Sequence, residues 1–136
     1  MVTNIESVEA WEMLKTDKNS QLIDIRTEEE WRLIGIPNLT SINKKVVFLS
    51  WQIWPEMEIN NSFMQTINKI VEDKEIALLF ICRSGGRSSQ AANAVQQAGY
   101  RNCYNICDGF EGKLSNDRQR SSSNGWKFNN LPWIQD

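Results

Sequence analysis

Cys82-Arg83-Ser84-Gly85-Gly86-Arg87-Ser88 gathers a thiol nucleophile, two arginines and two adjacent glycines in one short stretch. That combination suits the binding of an anion. Gly85 and Gly86 let the backbone take conformations closed to other residues. Consecutive amides can then turn inward as an anion-binding nest. A helix that follows adds its unpaired amides and the positive end of its dipole. Arg83 and Arg87 add two full charges. Each feature favours a thiolate over a thiol, because thiols at helix N-termini or beside arginine ionise more readily than free ones. The same cradle can surround an anion attached to Cys82, such as the outer sulfur of a persulfide. An inert cysteine ahead of an ordinary Gly-rich turn is the bland alternative, and it leaves the two flanking arginines unexplained.

The chain of 136 residues contains no histidine. Ser-His and Cys-His dyads are therefore excluded, and any nucleophile must be activated by arginine, backbone amides or a helix terminus. The three cysteines are Cys82, Cys103 and Cys107. An odd count argues against a disulfide framework. With no histidine, and with a Cys103/Cys107 spacing wider than the C-x2-C of zinc sites, no metal is expected; chemistry carried by the thiol itself needs no organic cofactor. A net charge of -2 gives no electrostatic case for nucleic acid or an anionic membrane. No run approaches the ~20 apolar residues of a membrane span. Met1 to Leu14 lacks the basic start and apolar run of a signal peptide, so a cytoplasmic location is expected. Length and composition suit one domain over residues 1–136.

The elements that must position the loop follow from periodicity. Ser7 is read as the cap of a helix through about Lys15. Gln21 to Ile25 reads as a buried strand. Thr27-Glu28-Glu29-Glu30 is a capping box that opens a short helix stopped by Gly35 and Pro37. Thr40 to Asn43 reads as another short strand. Lys44 to Met57 is apolar, holds Trp51, Trp54 and Pro55, and has no clean period. A helix starts near Asn60 or Asn61, with Phe63, Ile67, Ile70 and Val71 on one face. Ile76 to Ile81 is the most apolar run and reads as a central strand buried on both faces. From Ser88, the stripe Ala91, Ala94, Val95 and Ala98 lets a helix sit close to a sheet, and Gly99 ends it. Asn102 to Ile106 is a strand and Asp108-Gly109 a turn. Residues 113–125 read as a polar loop, and 126–134 as a closing segment too hydrophobic to hang free. Strands alternating with helices imply an α/β fold: a parallel sheet with helices on both faces.

Other residues carry two readings each. Asp24 ends its strand facing the loop, where it could pair with Arg83 or Arg87, or simply anchor its own turn. Arg26 is read as a surface partner of Glu30, or as lining the entrance. Glu30 has its cap role and is left structural. Trp51 and Trp54 either rim the pocket or cover the sheet, while Trp126 and Trp133 read as core closure. Cys103 should be inert. Cys107 follows the strand expected beside the catalytic one, and packing is a more ordinary role for it than that of a resolving thiol.

These segments together resemble the rhodanese superfamily over about residues 4 to 134. Asp24-Ile25-Arg26 through Trp31 is similar to the family's Asp-Val-Arg…Glu-Tyr segment. Cys82 to Ser88 is similar to its catalytic loop. Ala98-Gly99-Tyr100, Asn105 to Gly109, Gly125-Trp126 and Leu131-Pro132-Trp133 resemble its later segments. Two departures stand out: Ile34-Gly35-Ile36-Pro37 lacks the family's histidine, and Asp108 stands where a first glycine is common. The resemblance implies a single rhodanese-like domain with a central parallel sheet of about five strands. It implies a sulfurtransferase in which a persulfide on Cys82 takes a sulfane sulfur from a small anionic donor such as thiosulfate. A thiophilic acceptor then receives that sulfur. Cys82 and Arg87 form the catalytic set; Arg83, Ser84, Gly85, Gly86, Ser88 and Asp24 form the substrate-binding set. A sulfur-relay or interaction module with a protein partner is the second expectation. Cysteine phosphatase or arsenate reductase chemistry is the third, and it is disfavoured by loop length. Four residues separate Cys82 from Arg87, where cysteine phosphatases use five around a tetrahedral phosphate.

Overall fold

Apolar runs of strand length alternate with amphipathic stretches along most of the chain, and the computed structural model, which describes residues 1–135, folds them accordingly. In chain order the elements are β1 (Thr3–Ile5), α1 (Ser7–Thr16), β2 (Gln21–Asp24), α2 (Glu28–Ile34) and β3 (Ile36–Pro37). A single 3-10 turn (Thr40–Ile42) precedes β4 (Val47–Phe48), β5 (Gln52–Ile53), β6 (Glu58–Ile59) and α3 (Phe63–Ile70). Then come β7 (Leu78–Ile81), α4 (Gly86–Gln97), β8 (Cys103–Ile106) and β9 (Trp133–Ile134). Five strands form one parallel sheet in the order β1-β8-β7-β2-β4. Asp136 lies outside the described residues.

The central strand β7 is buried along its whole length, and its alternation splits the core. Leu78 and Phe80 point to one face, with Ile23, Phe63, Ile67, Val71, Ala91 and Val95. Leu79 and Ile81 point to the other, with Leu14, Leu22, Ile106, Phe110 and Trp126. Helices α3 and α4 therefore cover one face. The other is covered by α1 and the closing segment. Tight approach of α4 follows from its small residues: Ser88, Ala91 and Ala92 are buried beside Val95.

Several expectations change here. Ser7 does not cap α1: Glu6 is the cap residue, and its N–H donates to Glu9 Oε1 at 3.2 Å. Ser7 instead donates its N–H and hydroxyl to the Asp108 carboxylate at 2.8 and 2.7 Å. Asp108, where glycine was expected, thus ties the end of β8 to the start of α1. The Thr40 to Asn43 stretch is a 3-10 turn, closed by Asn43 at φ 58°. On α3, Phe63, Ile67 and Val71 are buried but Ile70 is 43% exposed, so the apolar face is narrower than its spacing suggests. The unreadable Lys44 to Met57 segment supplies β4, the edge of the sheet, and most of a small antiparallel hairpin of β5 and β6. Trp126 is fully enclosed and its indole N–H donates to the Pro132 carbonyl at 2.8 Å. Trp133 closes less of the core than expected. It stays 37% exposed, because β9 pairs with the two-residue β3 outside the main sheet. Among the described residues no helix is long and apolar enough to cross a membrane.

Candidate active site

Cys82 follows the last residue of β7, at the carboxyl edge of the sheet, where open α/β sheets bind their ligands. The residue is 1% exposed. Its Sγ accepts the N–H of Gly85 at 3.1 Å and of Ser88 at 3.3 Å, and the Ser88 hydroxyl lies 3.2 Å away. The sulfur is thus held inside its own loop by the first turn of α4. Ser88 Oγ also meets Gly85 O at 3.3 Å and Asn105 Oδ1 at 2.5 Å. One hydroxyl proton therefore faces three acceptors. The shortest of these contacts is the one to Asn105 Oδ1. Asn105, on neighbouring β8, completes the arrangement by donating to Gly85 O at 3.2 Å and Asn4 Oδ1 at 3.0 Å.

The loop's shape depends on one of its two glycines. Gly85 sits at φ 103°, and a Cβ there would collide with the Cys107 carbonyl. Gly86 has an ordinary backbone and open space around it, so the freedom expected of it is not used. From the other side, the Phe110 and Glu111 amides grip the carbonyls of Cys82 and Arg83 at 2.8 and 3.0 Å. The closing segment in turn grips Gly109 and Phe110 through the amides of Trp126 and Lys127.

Neither arginine of the loop is free. Arg87 makes a two-pronged pair with Glu30 at 2.7 Å for each prong. Burial pushes the Glu30 carboxyl up, but the Arg87 guanidinium and the Thr27 hydrogen bonds outweigh it and bring it down to about 2. The hydrogen bond to Glu30 likewise strengthens the hold of Arg87 on its proton. Arg83 contacts Glu111 at 2.7 Å, an ion pair whose N–H is not aimed at the oxygen. Glu30 is therefore more than a cap: it accepts from Thr27 N at 3.1 Å and from Arg87 at once.

Asp24 pairs with neither Arg83 nor Arg87. Its carboxylate is fully buried and taken by Arg26, whose side chain donates to it at 2.7 and 3.0 Å. Arg26 is not on the surface either. It is enclosed, donates to the Gly35 carbonyl at 2.9 Å, and lies 4.4 Å over the Phe110 ring. A two-residue separation at the end of β2 lets this pair close on itself, which removes Asp24 from the substrate-binding set. Ser84 is exposed on the loop.

A cleft of 610 Å³ opens over the arginine side of the loop. Arg83 and Arg87 meet Leu33, Ile34, Trp54 and Met57 there. Trp54 rims it, 55% exposed. Trp51 does not: it is buried edge-on against Phe63 at 5.0 Å, with its N–H on Gln90 Oε1 at 3.3 Å. Burial pushes the Cys103 thiol up to about 11, consistent with an inert role. Cys107 is exposed overall. Partial burial of its thiol and then the carboxylates of Asp108, Glu6 and Glu9 raise it, so its surroundings oppose a reactive thiolate.

Residues 3–136 match the family described as the STR4 middle domain. The chain belongs to this rhodanese-like family. The domain is 48% identical over 133 residues to an uncharacterized protein of Rickettsia conorii, with 97% of each chain covered. It is 32% identical over 127 residues to the chloroplastic rhodanese-like domain-containing protein 4 of Arabidopsis thaliana. That match covers 93% of this chain and 24% of the other. The crystal structure of Rv0390 from M. tuberculosis superposes with a TM-score of 0.91 at 36% identity, covering 99% of this chain and 98% of that one.

In this rhodanese-like domain the structure brings Cys82, Gly85 and Ser88 together around one sulfur and places Arg83 and Arg87 at the rim. Sequence reasoning missed Asn105, Glu111 and the second role of Glu30. No sequence signal joined Glu30 to Arg87, because their meeting depends on β2 lying beside β7 in the sheet. None existed for Glu111, which reaches the loop only through the turn after β8.

Proposed function

We propose that the domain is a sulfurtransferase that carries a sulfane sulfur as a persulfide on Cys82. The observation that carries this reading is a sulfur enclosed by two backbone N–H groups and a hydroxyl at a helix start, in a chain with no histidine. These donors stabilise a negative sulfur without a base. The Cys82 thiolate attacks the outer sulfur of a donor such as thiosulfate. A Cys82 S–S bond forms, the donor's S–S bond breaks, and its electron pair leaves with sulfite. A thiophilic acceptor then attacks the outer sulfur, and the electron pair of the Cys82 S–S bond returns to Sγ. No net oxidation occurs in either step. Gly85 and Ser88 hold Sγ. Arg83 and Arg87 flank the entrance, with their charge partly offset by Glu111 and Glu30.

The test is intact mass after incubation with thiosulfate. The wild type should gain one sulfur that cyanide removes, and Cys82→Ser should gain none, a complete loss. Cys103→Ser should load normally. Cys82-dependent hydrolysis of an aryl phosphate, with no sulfur gained, would replace this reading with phosphatase chemistry.

A further inference from the structure

The cleft beside the loop has a chemistry that the transfer reaction with thiosulfate does not use. Its rim carries two apolar side chains set out in solvent, Leu33 at 76% and Trp54 at 55% exposure. Ile34 and Met57 continue that surface down to Arg83 and Arg87. Exposed large apolar groups around a concavity mark a binding site for an apolar body. Charge points the same way. Glu29 and Glu30 balance Arg83 and Arg87 along the lining, and each arginine already has a carboxylate at 2.7 Å. The charge of both arginines is thus partly offset, and an uncharged body desolvates no charged group that it must replace. The volume of 610 Å³ suits a small organic molecule.

We propose that the sulfur acceptor of this domain is a small organic thiol with an uncharged apolar body, seated on Leu33, Ile34, Trp54 and Met57. This rests on the sulfurtransferase reading of Cys82. The acceptor's thiolate attacks the outer sulfur of the Cys82 persulfide. A new S–S bond forms on the acceptor, the S–S bond to Cys82 breaks, and its electron pair stays on Sγ. The products are the acceptor persulfide and the Cys82 thiolate, with no oxidant or reductant required.

The test loads the protein with thiosulfate and follows loss of the added sulfur by intact mass in single turnovers with ethanethiol, hexanethiol and cyanide. The two thiols share the same reactive group and differ only in apolar length. Hexanethiol should discharge the wild type at least about tenfold faster than ethanethiol, since each added methylene gains from burial. Leu33→Asp and Trp54→Ala should each bring that ratio towards one; both side chains are exposed, so the fold should survive. Val8→Ala, an exposed apolar position on α1 outside the cleft, should keep the full ratio. A wild-type ratio near one, with cyanide still stripping the sulfur, would overturn the acceptor assignment and leave sulfur transfer standing. A ratio that persists in both cleft variants would overturn it too. If thiosulfate leaves no sulfur on Cys82, the transfer reading falls and takes the acceptor with it.

Discussion

Two carboxylate–arginine pairs lie beside the same loop and do different work. Asp24 and Arg26 sit beneath it, both fully enclosed, Asp24 the last residue of β2 and Arg26 two residues beyond it. Glu30 and Arg87 sit at its rim, each about one-fifth exposed, joining α2 to α4 across 57 positions. The first pair has no water to replace a lost partner, so it acts as a strut under β2, Gly35 and Phe110. The second has solvent at hand and is worth less as a contact, but it determines where the charge of Arg87 stands. The floor of this site is thus held by an enclosed pair and its wall by a partly solvated one.

The largest effect should come from breaking the floor. Asp24→Ala strands the Arg26 guanidinium in the interior and should cost about 3–5 kcal/mol, read from the denaturation midpoint. A loss under ~1 kcal/mol would show that the pair is no strut. Next in size is Gly85→Ala, where positive φ and the Cys107 carbonyl both resist a side chain. It should cost about 1–3 kcal/mol and impair sulfur loading on Cys82.

The wall should respond more gently. Glu30→Gln should lower stability by about 1 kcal/mol at neutral pH. Its pH signature is sharper than its size. The Glu30 carboxyl lies at about 2 in the folded protein against an ordinary 4.5. A depressed value means that its stabilisation is complete above about pH 4.5 and is lost as pH falls towards 2. The stability gap between wild type and Glu30→Gln should therefore narrow through that window; a gap constant down to pH 2 would mean the pair does not hold the carboxylate. The smallest effect belongs to Gly86→Ala, which meets open space on the first turn of α4. Thermal stability should change by no more than ~0.5 kcal/mol, and sulfur loading should be normal.

The sheet and the loop were legible because their signals are local. The run Ile76 to Ile81 could be buried only as a central strand, and Thr27 with Glu30 could only open a helix. The edge strands β1 and β4 were not legible: each is two or three residues long and owes its form to a neighbour's backbone. The same holds for β9, whose Ile134 pairs with Ile36 of the distant β3.

At the site the division is similar. The loop around Cys82, its glycine turn and the helix behind it follow from residue types at fixed spacing, since amides and a helix start act over a few ångströms of contiguous chain. Which carboxylate meets which arginine does not follow. Asp24 chose Arg26 because the pair closes within one strand end, and Glu30 chose Arg87 because β2 and β7 are neighbours, which puts α2 beside α4. Glu111 reached Arg83 from the turn after β8. Coulomb attraction carries no memory of sequence distance, so those pairings were decided only when the parallel sheet set its strands side by side.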